Sequence, residues 1–405
     1  MNTIVFIGSH KSGTSREALK VSKEMGYVTV LITDRSNLIS QKDEFPEVDE
    51  MLYMENLLNK GELLNILHSL QQLGHHLSAC LSFIDPFVSY ASRISTELGL
   101  FPASVEALSI MENKANVRKH LHHLPSSLSY SMLAMNESMS DFNLGQRDVW
   151  PLIIKPSKSN GSKNIMLAKT LRELSEGINL LRRKHPDMNL MIEEFVNGPQ
   201  YLMEVLVYKQ EVNIIAVVEQ EVGSNFIITG YAYPAKLDPQ EFQSLHNSIL
   251  EIVECIGLEN GSCHLEMRKA KGGWKLIEMN PRMSGAAMNR LIKEGTGINL
   301  VREIIKVNLG LPPKTSPAFT KPVYAKYVTV NSAGRLLKVT GRNRASSHDG
   351  VKYVYVKPKK GSVLVPPKSM GNRYACVIAA ADSIKAAKEI AIKAAKELRF
   401  FLEPL

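Results

Sequence analysis

Short apolar runs alternate with segments of helical periodicity over the first part of the chain. The runs at 3–8 and 27–33, and a third that ends near residue 84, predict buried strands, and 14–25 predicts a helix. Strands separated by helices are typical of a parallel α/β sheet. We therefore predict an N-terminal parallel α/β domain over residues 1–110.

The pattern is less regular in the next segment of the chain. A helix is predicted around 113–121, and a polar loop rich in Ser, Asn and Met follows it. A strand at 151–155, a helix at 170–184 and a strand at 190–196 complete the segment. These elements predict a small central lobe over residues 111–196.

The remaining residues, 197–405, predict an α+β lobe with a largely antiparallel sheet. Alternating runs at 201–208 and 211–220 indicate a hairpin around Lys209-Gln210. A linker begins at Pro312-Pro313. Further strands are predicted at 226–233, 261–269, 274–279, 323–330 and 351–356, and helices at 239–256, 285–295, 299–309 and 383–399.

Composition narrows the class of protein. Hydrophobic content of 44% and charged content of 22% are ordinary for a globular protein. No apolar run approaches the ~18 residues of a membrane helix, and the N-terminus has no basic region ahead of its strand, so we expect a cytoplasmic protein without a membrane partner. Four scattered cysteines predict reduced thiols. The net charge of +9 is spread along the chain, which favours surface lysines over nucleic-acid binding.

One glycine-rich turn resembles a phosphate-binding loop only in part. The segment from Gly8 to Ser15 follows a strand and opens a helix, which is the context that a P-loop needs. A P-loop also requires Lys directly after its second Gly, and Thr14 stands at that position. We therefore interpret the segment as a tight turn, and anion binding by its helix N–H groups stays open.

Two lysines stand in segments suited to a triphosphate. Lys114 lies on the predicted helix at 113–121, where a lone lysine is most simply a surface residue. Lys155 ends the strand at 151–155 and can add a point charge near phosphate oxygens. The loop after Lys155 contains small residues whose backbone N–H groups can approach phosphate oxygens, namely Ser157, Ser159, Gly161 and Ser162. A flexible polar turn without a ligand would explain this loop equally well.

A second strand end is suited to a purine base. Glu193, Glu194, Phe195 and Val196 precede a Gly-Pro turn. An exposed strand end offers one backbone carbonyl and one N–H to the edge of adenine, and apolar neighbours can sandwich the ring. A plain strand-turn-strand connection is the alternative.

The most specific pattern lies on two consecutive predicted strands. Glu278 and Asn280 are two residues apart, so their side chains share one face, and Glu266 can lie across from them in a hairpin. Two carboxylates and an amide form a hard-oxygen site suited to Mg²⁺. Arg282 could clamp a phosphate or carboxylate in bidentate fashion. A solvated sheet face is the alternative, but without a cation these groups would repel one another.

Taken in chain order, these segments resemble the ATP-grasp superfamily over roughly residues 1–400, and EMNPR at 278–282 is similar to its Mg²⁺ motif. Within the superfamily the chain resembles the dipeptide-forming L-amino-acid ligases of the bacilysin-synthetase and rhizocticin type. The segment GYAYPAKL at 230–237 is similar to their substrate-side loop. The resemblance implies an ATP-grasp fold with a parallel α/β domain, an ATP-lid lobe, and an α+β lobe holding the metal site and a closing subdomain.

The resemblance also implies a role for each candidate residue. Arg282 and Lys155 would act on the transferred phosphoryl group, and Gln200 would contact ribose where many relatives have Glu. ATP would be bound by Lys114, Lys155, Ser157, Gly161, Ser162, Glu193, Glu194, Phe195, Val196 and Gln200. Mg²⁺, with Mn²⁺ as a substitute, would be bound by Glu266, Glu278 and Asn280. The two amino-acid substrates would meet Arg282, Ser284, Gly285, Ala286, Tyr231 and Asp85.

The expected activity is ATP-dependent dipeptide formation through an acyl phosphate, with a homodimer left open. The resemblance to the rhizocticin type suggests a basic first amino acid such as arginine, and Asp85 is one candidate acid for it. Two alternatives stay open. The chain could be another ATP-grasp carboxylate–amine ligase or carboxylase, or a nucleotide-binding protein without catalysis.

Overall fold

The computed structural model describes residues 1–101, 103–137, 150–157, 164–223 and 226–405 of the chain. Its N-terminal part is a four-stranded parallel sheet in the order β3-β2-β1-β4, as the pattern predicts. The strands are β1 (Asn2–Ile7), β2 (Val28–Thr33), β3 (Glu50–Tyr53) and β4 (His76–Leu81). The helices around them are α1 (Thr14–Glu24), α2 (Ser36–Ile39), α3 (Lys60–Gln72) and α4 (Val88–Glu97).

Two helices lead from this domain to a small lobe with an antiparallel sheet in the order β5-β8-β6-β7. Asn113 caps the second of these helices by accepting hydrogen bonds from the N–H groups of Ala115 and Asn116. This cap fixes the start of the helix at Lys114. The elements are α5 (Val105–Met111), α6 (Lys114–Leu121), β5 (Tyr130–Leu133), β6 (Leu152–Pro156), β7 (Met166–Ala168), α7 (Leu171–Lys184) and β8 (Leu190–Glu194).

The third part contains an eight-stranded antiparallel sheet. Its strands, in spatial order, are β13 (Gly273–Asn280), β12 (Gly261–Ala270), β9 (Gln200–Tyr208), β10 (Glu211–Val222), β11 (Ile228–Tyr233), β14 (Val323–Val328), β18 (Ala375–Ala380) and β16 (Val351–Val356). A small sheet consists of β17 (Val363–Leu364), β15 (Gly334–Thr340) and β19 (Arg399–Glu403). The helices are α8 (Pro239–Ile256), α9 (Met288–Thr296), α10 (Leu300–Asn308), α11 (Arg342–Ser347) and α12 (Ile384–Ala395).

Several predicted bounds differ from the structure. The third strand ends at Leu81 rather than near residue 84, and the helix predicted to start at residue 285 starts at Met288. The helix predicted over 383–399 ends at Ala395, because the chain then enters β19 and pairs with β15. Strand β3 was missed because it is four residues long and only half-buried, so it has no clear alternation.

One apolar core joins the N-terminal domain to the large sheet. It includes Ile4 of β1, Leu202 of β9, Ile305 of α10 and Ile378 of β18, all inaccessible to solvent. Burial of this kind is the main favourable term in folding, so the first and last parts of the chain are packed as one body. Of the helices in the described residues, none combines the length and apolar character that a membrane span requires.

Candidate active site

A cavity of about 290 Å³ lies between the small lobe and the β12–β13 end of the large sheet. It brings together most of the residues that the sequence singled out. Ser157 and Asp85 are described but do not line it, and Gly161 and Ser162 lie outside the described residues. The predicted residues that line it are Lys114, Lys155, Glu193, Glu194, Phe195, Val196, Gln200, Tyr231, Glu266, Glu278, Asn280, Arg282, Ser284, Gly285 and Ala286.

A buried carboxylate holds two cations at the lobe side of the cavity. Glu193 lies 2.5 Å from Lys155 Nζ and 2.7 Å from Arg118 Nε, and all three side chains are buried. Burial opposes ionisation of Glu193, but Arg118 and Lys155 hold its pKa at about 2. The Glu193 side chain therefore serves as a counter-ion that positions Lys155, whereas the sequence suggested contact with adenine.

Three cations lie close together in the same cluster, although Lys114 also lies 3.5 Å from Glu278. Burial lowers the pKa of Lys155, and the nearby charges of Arg118 and Lys114 lower it further, although Glu193 opposes them. Two buried cations thus share one carboxylate, with a third cation close by. An incoming phosphate would relieve this repulsion, which fits the predicted contacts of Lys114 and Lys155 with a triphosphate.

Two carboxylates face each other on β12 and β13. Glu266 is directly opposite Glu278 in the antiparallel register, so both side chains lie on one face of the sheet. Burial and the charge of Glu278 raise the pKa of Glu266 to about 7. Glu278 stays ionised in spite of burial, because Lys114, with Nζ 3.5 Å away, and Lys155 lower its pKa. A divalent cation would remove the repulsion between the two carboxylates.

The neighbouring amide is oriented by a neutral histidine. Burial and the charge of Arg282 lower the pKa of His264 to about 4, so the ring is neutral at pH 7. His264 Nδ1 lies 2.8 Å from the Arg282 carbonyl oxygen, and Nε2 lies 3.1 Å from Asn280 Nδ2. The Asn280 amide nitrogen also lies 3.3 Å from Glu278 Oε1. With the nitrogen engaged in this way, the Asn280 oxygen is left for a metal ion.

The opposite end of the cavity is apolar and aromatic. Phe195 and Phe226 have ring centroids 6.2 Å apart, and the Arg268 guanidinium lies 5.1 Å from the Phe195 centroid. Phe195 N–H donates to the Pro151 carbonyl, and Arg268 Nη1 donates to the Val196 carbonyl at 2.7 Å. These contacts fix the strand end beside which the sequence predicts adenine.

Buried amides connect the aromatic end to the carboxylates. Gln200 Nε2 donates to Gln220 at 2.8 Å and to Glu266 at 3.1 Å, and its oxygen accepts a bond from Arg268 Nε at 2.9 Å. Gln220 donates to Glu266 at 3.2 Å. Because its side chain is fully engaged, Gln200 orients Glu266 and Arg268, and its predicted contact with ribose stays a prediction.

Arg282, two residues after the end of β13, joins this part of the large sheet to the N-terminal domain. Its Nε and Nη2 lie 2.9 and 2.6 Å from Asp85 Oδ2. Asp85 was predicted as an acid for a basic substrate, but it is the counter-ion of Arg282 in the structure. The predicted contact of Asp85 with substrate is therefore no longer the simplest interpretation of this residue.

The segment after Arg282 is a loop of small residues that lies against a buried acid. Ser284 N–H donates to Glu204 Oε1 at 2.9 Å, and Ala286 has a positive φ of 60°. Burial raises the pKa of Glu204 to about 8. Tyr231 was placed on a substrate-side loop, but it belongs to strand β11 and packs edge-on against Tyr327 at 5.7 Å between centroids. The loop of the predicted segment begins only after Tyr233.

Several functional side chains were missed or received no role from the sequence. Arg268 lies two residues beyond Glu266, so the alternation of a strand would have placed both on the same face. Arg118 lies one helical turn beyond Lys114 and could have been found by helical spacing. Arg373 lines the cavity from the far end of the chain and carries no local signal.

Comparison with known families agrees with this geometry. Residues 149–290 match the family model described as the ATP-grasp domain, and residues 326–403 match L-amino acid ligase C-terminal domain 2. Both matches agree with the resemblance found in the sequence, and the first spans the strands that carry Glu266 and Glu278.

Solved ATP-grasp structures share the whole fold. An L-amino acid ligase from Bacillus licheniformis superposes with a TM-score of 0.82 at 17% identity, covering 100% of this chain and 99% of that chain. A biotin carboxylase domain of the Hydrogenobacter thermophilus 2-oxoglutarate carboxylase gives a TM-score of 0.75 at 16% identity, covering 99% and 91%. At these identities the likeness establishes the fold alone.

Curated relatives are distant in sequence. The Sinorhizobium fredii protein y4rH is 26% identical over 258 residues, which are 63% of this chain and 54% of that protein. Human carnosine synthase 1 is 24% identical over 59% of this chain and 32% of its own length. Dapdiamide A synthase from Enterobacter agglomerans is 20% identical over 77% of this chain and 70% of its own length. The chain thus spans about half of the first relative and about a third of the second.

Proposed function

We propose that the protein is an ATP-dependent ligase that joins two amino acids through an α-peptide bond, with an acyl phosphate as intermediate. The observation that carries the proposal is the single cavity in which Lys114, Lys155 and Arg282 surround the Glu266–Glu278 pair. Cations and a metal-binding carboxylate pair are what phosphoryl transfer to a carboxylate requires. The similarity to dapdiamide A synthase and carnosine synthase 1 supports the same class of reaction.

Nucleotide binding follows from the two ends of the cavity. The apolar end, with Phe195, Phe226 and the Val196 backbone, suits the adenine ring. The triphosphate then lies towards Lys114 and Lys155, whose mutual repulsion it relieves. Mg²⁺, or Mn²⁺ in its place, fits Glu266, Glu278 and the Asn280 oxygen, where it would neutralise phosphate charge.

The first chemical step transfers the γ-phosphoryl group. A carboxylate oxygen of one amino acid attacks the γ-phosphorus, and the bond from phosphorus to the bridging oxygen of ADP breaks. Lys155 is held by Glu193 and stabilises charge on the phosphate oxygens. Arg282, held by Asp85, binds the transferred phosphoryl group.

The second step forms the peptide bond. The neutral amine of the other amino acid attacks the acyl carbon, and inorganic phosphate leaves with the bonding electron pair. The amine proton is lost to solvent or to the departing phosphate. Because an acyl phosphate hydrolyses readily, the cavity must exclude water during its lifetime.

Charge near the site does not support arginine as the first substrate. Asp85, the candidate acid, already pairs with Arg282, and Glu204 carries a raised pKa that keeps it largely neutral near pH 7. In this structure the Asp85 carboxylate is therefore already used by Arg282. Arginine stays in the test panel as the substrate suggested by the family resemblance.

The test is phosphate release from Mg·ATP with the twenty amino acids, singly and in pairs, followed by mass spectrometry of products. We expect that phosphate is released only when two amino acids are present together. The product should have the mass of a dipeptide. An Arg282→Met variant should lose this release, while Arg93→Met serves as a control that lies outside the cavity. Release that depends on bicarbonate would favour a carboxylase, and ATP binding without turnover would favour a non-catalytic protein.

Assembly and location are further proposals. We propose a cytoplasmic enzyme, as the sequence suggests, and a homodimer stays one of the states to be tested. Light scattering of the purified protein tests the dimer, and cell fractionation tests the location.

A further inference from the structure

A second and larger cavity adjoins the active site. It has a volume of about 1000 Å³ and lies between α1 of the N-terminal domain and the β14–β18–β16 end of the large sheet. Ala286, Met370 and Arg373 line both this interlobe cavity and the active-site cavity. The two cavities therefore meet at the loop of small residues after Arg282, and a bound molecule can extend from one into the other.

Two cations on the wall of the interlobe cavity lie outside ion-pair distance of every carboxylate in the described residues, although Arg373 is near enough to Glu266 to oppose the rise in its pKa. Arg373 donates to the Met370 and Ile228 carbonyls at 3.3 and 3.5 Å, and its guanidinium lies 3.9 Å from the Tyr327 centroid. Lys357 Nζ donates to a backbone carbonyl at 2.8 Å. In the part of the chain that the structure describes, neither forms an ion pair with a carboxylate. Burial and the charge of Arg373 lower the pKa of Lys357, so the two cations repel each other.

A buried hydroxyl lies beside these cations. Tyr327 is 6% exposed and lines the interlobe cavity. Its hydroxyl lies near the Ala287 backbone and the Cys376 thiol, yet it forms no hydrogen bond of good geometry within the described residues. Because the hydroxyl oxygen is itself inaccessible to solvent, Tyr327 contributes its ring, which supports the Arg373 guanidinium from one face, rather than a contact with a ligand.

The carboxylates of the same cavity are already engaged. Glu47 accepts a bond from Arg16 Nε at 2.5 Å, and Glu17 accepts one from Asn289 at 2.5 Å. The third, Glu24, lies at the outer end of α1 within 3.9 Å of a lysine. Arg373 and Lys357 are therefore the wall cations without a paired carboxylate in the described residues, and they select an anion rather than a basic side chain.

We propose that the interlobe cavity binds a second carboxylate on one of the two substrates, through Arg373 and Lys357. The preferred substrate class is then a dicarboxylic amino acid, or a short peptide whose free terminus supplies the same group. This inference rests on the proposed ligase function. It goes beyond that function because it assigns the substrate class and names Arg373 as a specificity-determining residue.

The experiment compares acids with neutral analogues of similar shape. Phosphate release from Mg·ATP is measured for glutamate against glutamine and for α-aminoadipate against norleucine, each with a common partner amino acid. A peptide arm compares glycyl peptides with their C-terminal amides, and fragment masses of the product show which substrate carries the extra carboxylate. We expect kcat/KM for the acids to exceed that for the neutral analogues by about tenfold, the effect of one good charge-assisted hydrogen bond.

Three variants separate recognition from folding. Arg373→Gln should abolish the preference for acids, and Arg373→Lys should restore part of it because the charge remains. Lys352→Gln, an exposed residue of β16 that does not line the cavity, should keep the full preference. Melting temperatures of all variants show whether each one is folded.

The outcomes distinguish this inference from the proposed function. If turnover still depends on a pair of amino acids but kcat/KM is the same for an acid and its neutral analogue, the inference is overturned and the ligase proposal stands. An Arg373→Gln variant that lowers both values equally has the same consequence. If no pair is turned over, the ligase proposal fails, and thermal shift with a non-hydrolysable ATP analogue still decides the subsite: stabilisation by glutamate but not glutamine supports it, and equal shifts refute it.

Discussion

Two hydrogen bonds decide which way the Asn280 amide faces. Its nitrogen is directed at His264 and Glu278, so its oxygen is the atom left for a cation. His264 can hold this arrangement because burial keeps the ring neutral and leaves one nitrogen as an acceptor. In the metal site that we propose, the histidine would act on the ion through the orientation of Asn280.

We predict that His264→Ala weakens metal binding without removing a ligand. The Mg²⁺ concentration for half-maximal phosphate release should rise about tenfold, as is usual when a residue that orients a metal ligand is removed. His68→Ala, an exposed residue of α3, is the control. An unchanged Mg²⁺ requirement in His264→Ala would contradict this role.

Glu204 should make folding stability depend on pH. Burial raises its pKa from an ordinary value of 4.5 to about 8, so between these pH values the folded protein retains a proton that the unfolded chain has lost. Stability therefore falls as pH rises through this range. Glu204→Gln should remove this pH-dependent loss in the free energy of unfolding, which amounts to about 3 to 5 kcal/mol at most.

The measurement is the melting temperature of the metal-free protein at acidic and mildly alkaline pH. Glu204→Gln should match the wild type on the acidic side and melt several degrees higher on the alkaline side. Glu251→Gln, an exposed position on α8, should follow the wild type throughout. Parallel curves for all three proteins would show that Glu204 ionises normally.

At the scale of elements, the turn before β9 passes very close to β12. Gly198 has a φ of 150°, and a Cβ atom there would lie 2.0 Å from the Lys269 carbonyl oxygen. Only glycine permits this approach, which sets the β9 end that carries Gln200 against the β12 end that carries Arg268. The apolar end of the cavity, where we propose that adenine binds, depends on that spacing.

We predict that Gly198→Ala lowers stability by about 2 kcal/mol or more and raises KM for ATP, because β12 must shift away from β9. Gly272→Ala in the nearby hairpin turn is the matched control, since nothing lies within 4 Å of its Cβ position. Thermal melting and ATP titration of both variants provide the comparison. Equal behaviour of the two alanine variants would refute the argument.

Contacts between residues that are close in sequence could be predicted, whereas contacts between residues far apart in sequence could not. The β12–β13 hairpin and its Glu266–Glu278 pair were predictable because alternation and a tight turn are local signals. The pairing of Arg282 with Asp85 joins residues 197 positions apart, and Arg373 reaches the cavity from the segment before β18, still further along the chain. Those contacts depend on how the sheets pack, which no local pattern encodes.

At the scale of the whole molecule, the Asp85–Arg282 ion pair connects the N-terminal domain to the chain segment that follows β13. We predict that Asp85→Asn lowers kcat/KM by about tenfold or more, because a half-buried guanidinium loses its charged partner and its fixed position. The melting temperature should change little. Asp43→Asn, at an exposed position of the same domain, is the control, and unchanged kinetics in Asp85→Asn would show that Arg282 needs no such anchor.

The place of β11 in the large sheet has a consequence for biosynthesis. Its outer edge pairs with β14, and roughly 90 residues separate Tyr233 from Val323 in the chain. At a synthesis rate of about 5–20 residues per second, a ribosome needs on the order of 5 to 20 s to add the residues between these two strands. For this interval the nascent chain presents an unpaired, largely apolar strand edge, the kind of surface that chaperones shield and that aggregates when translation stalls.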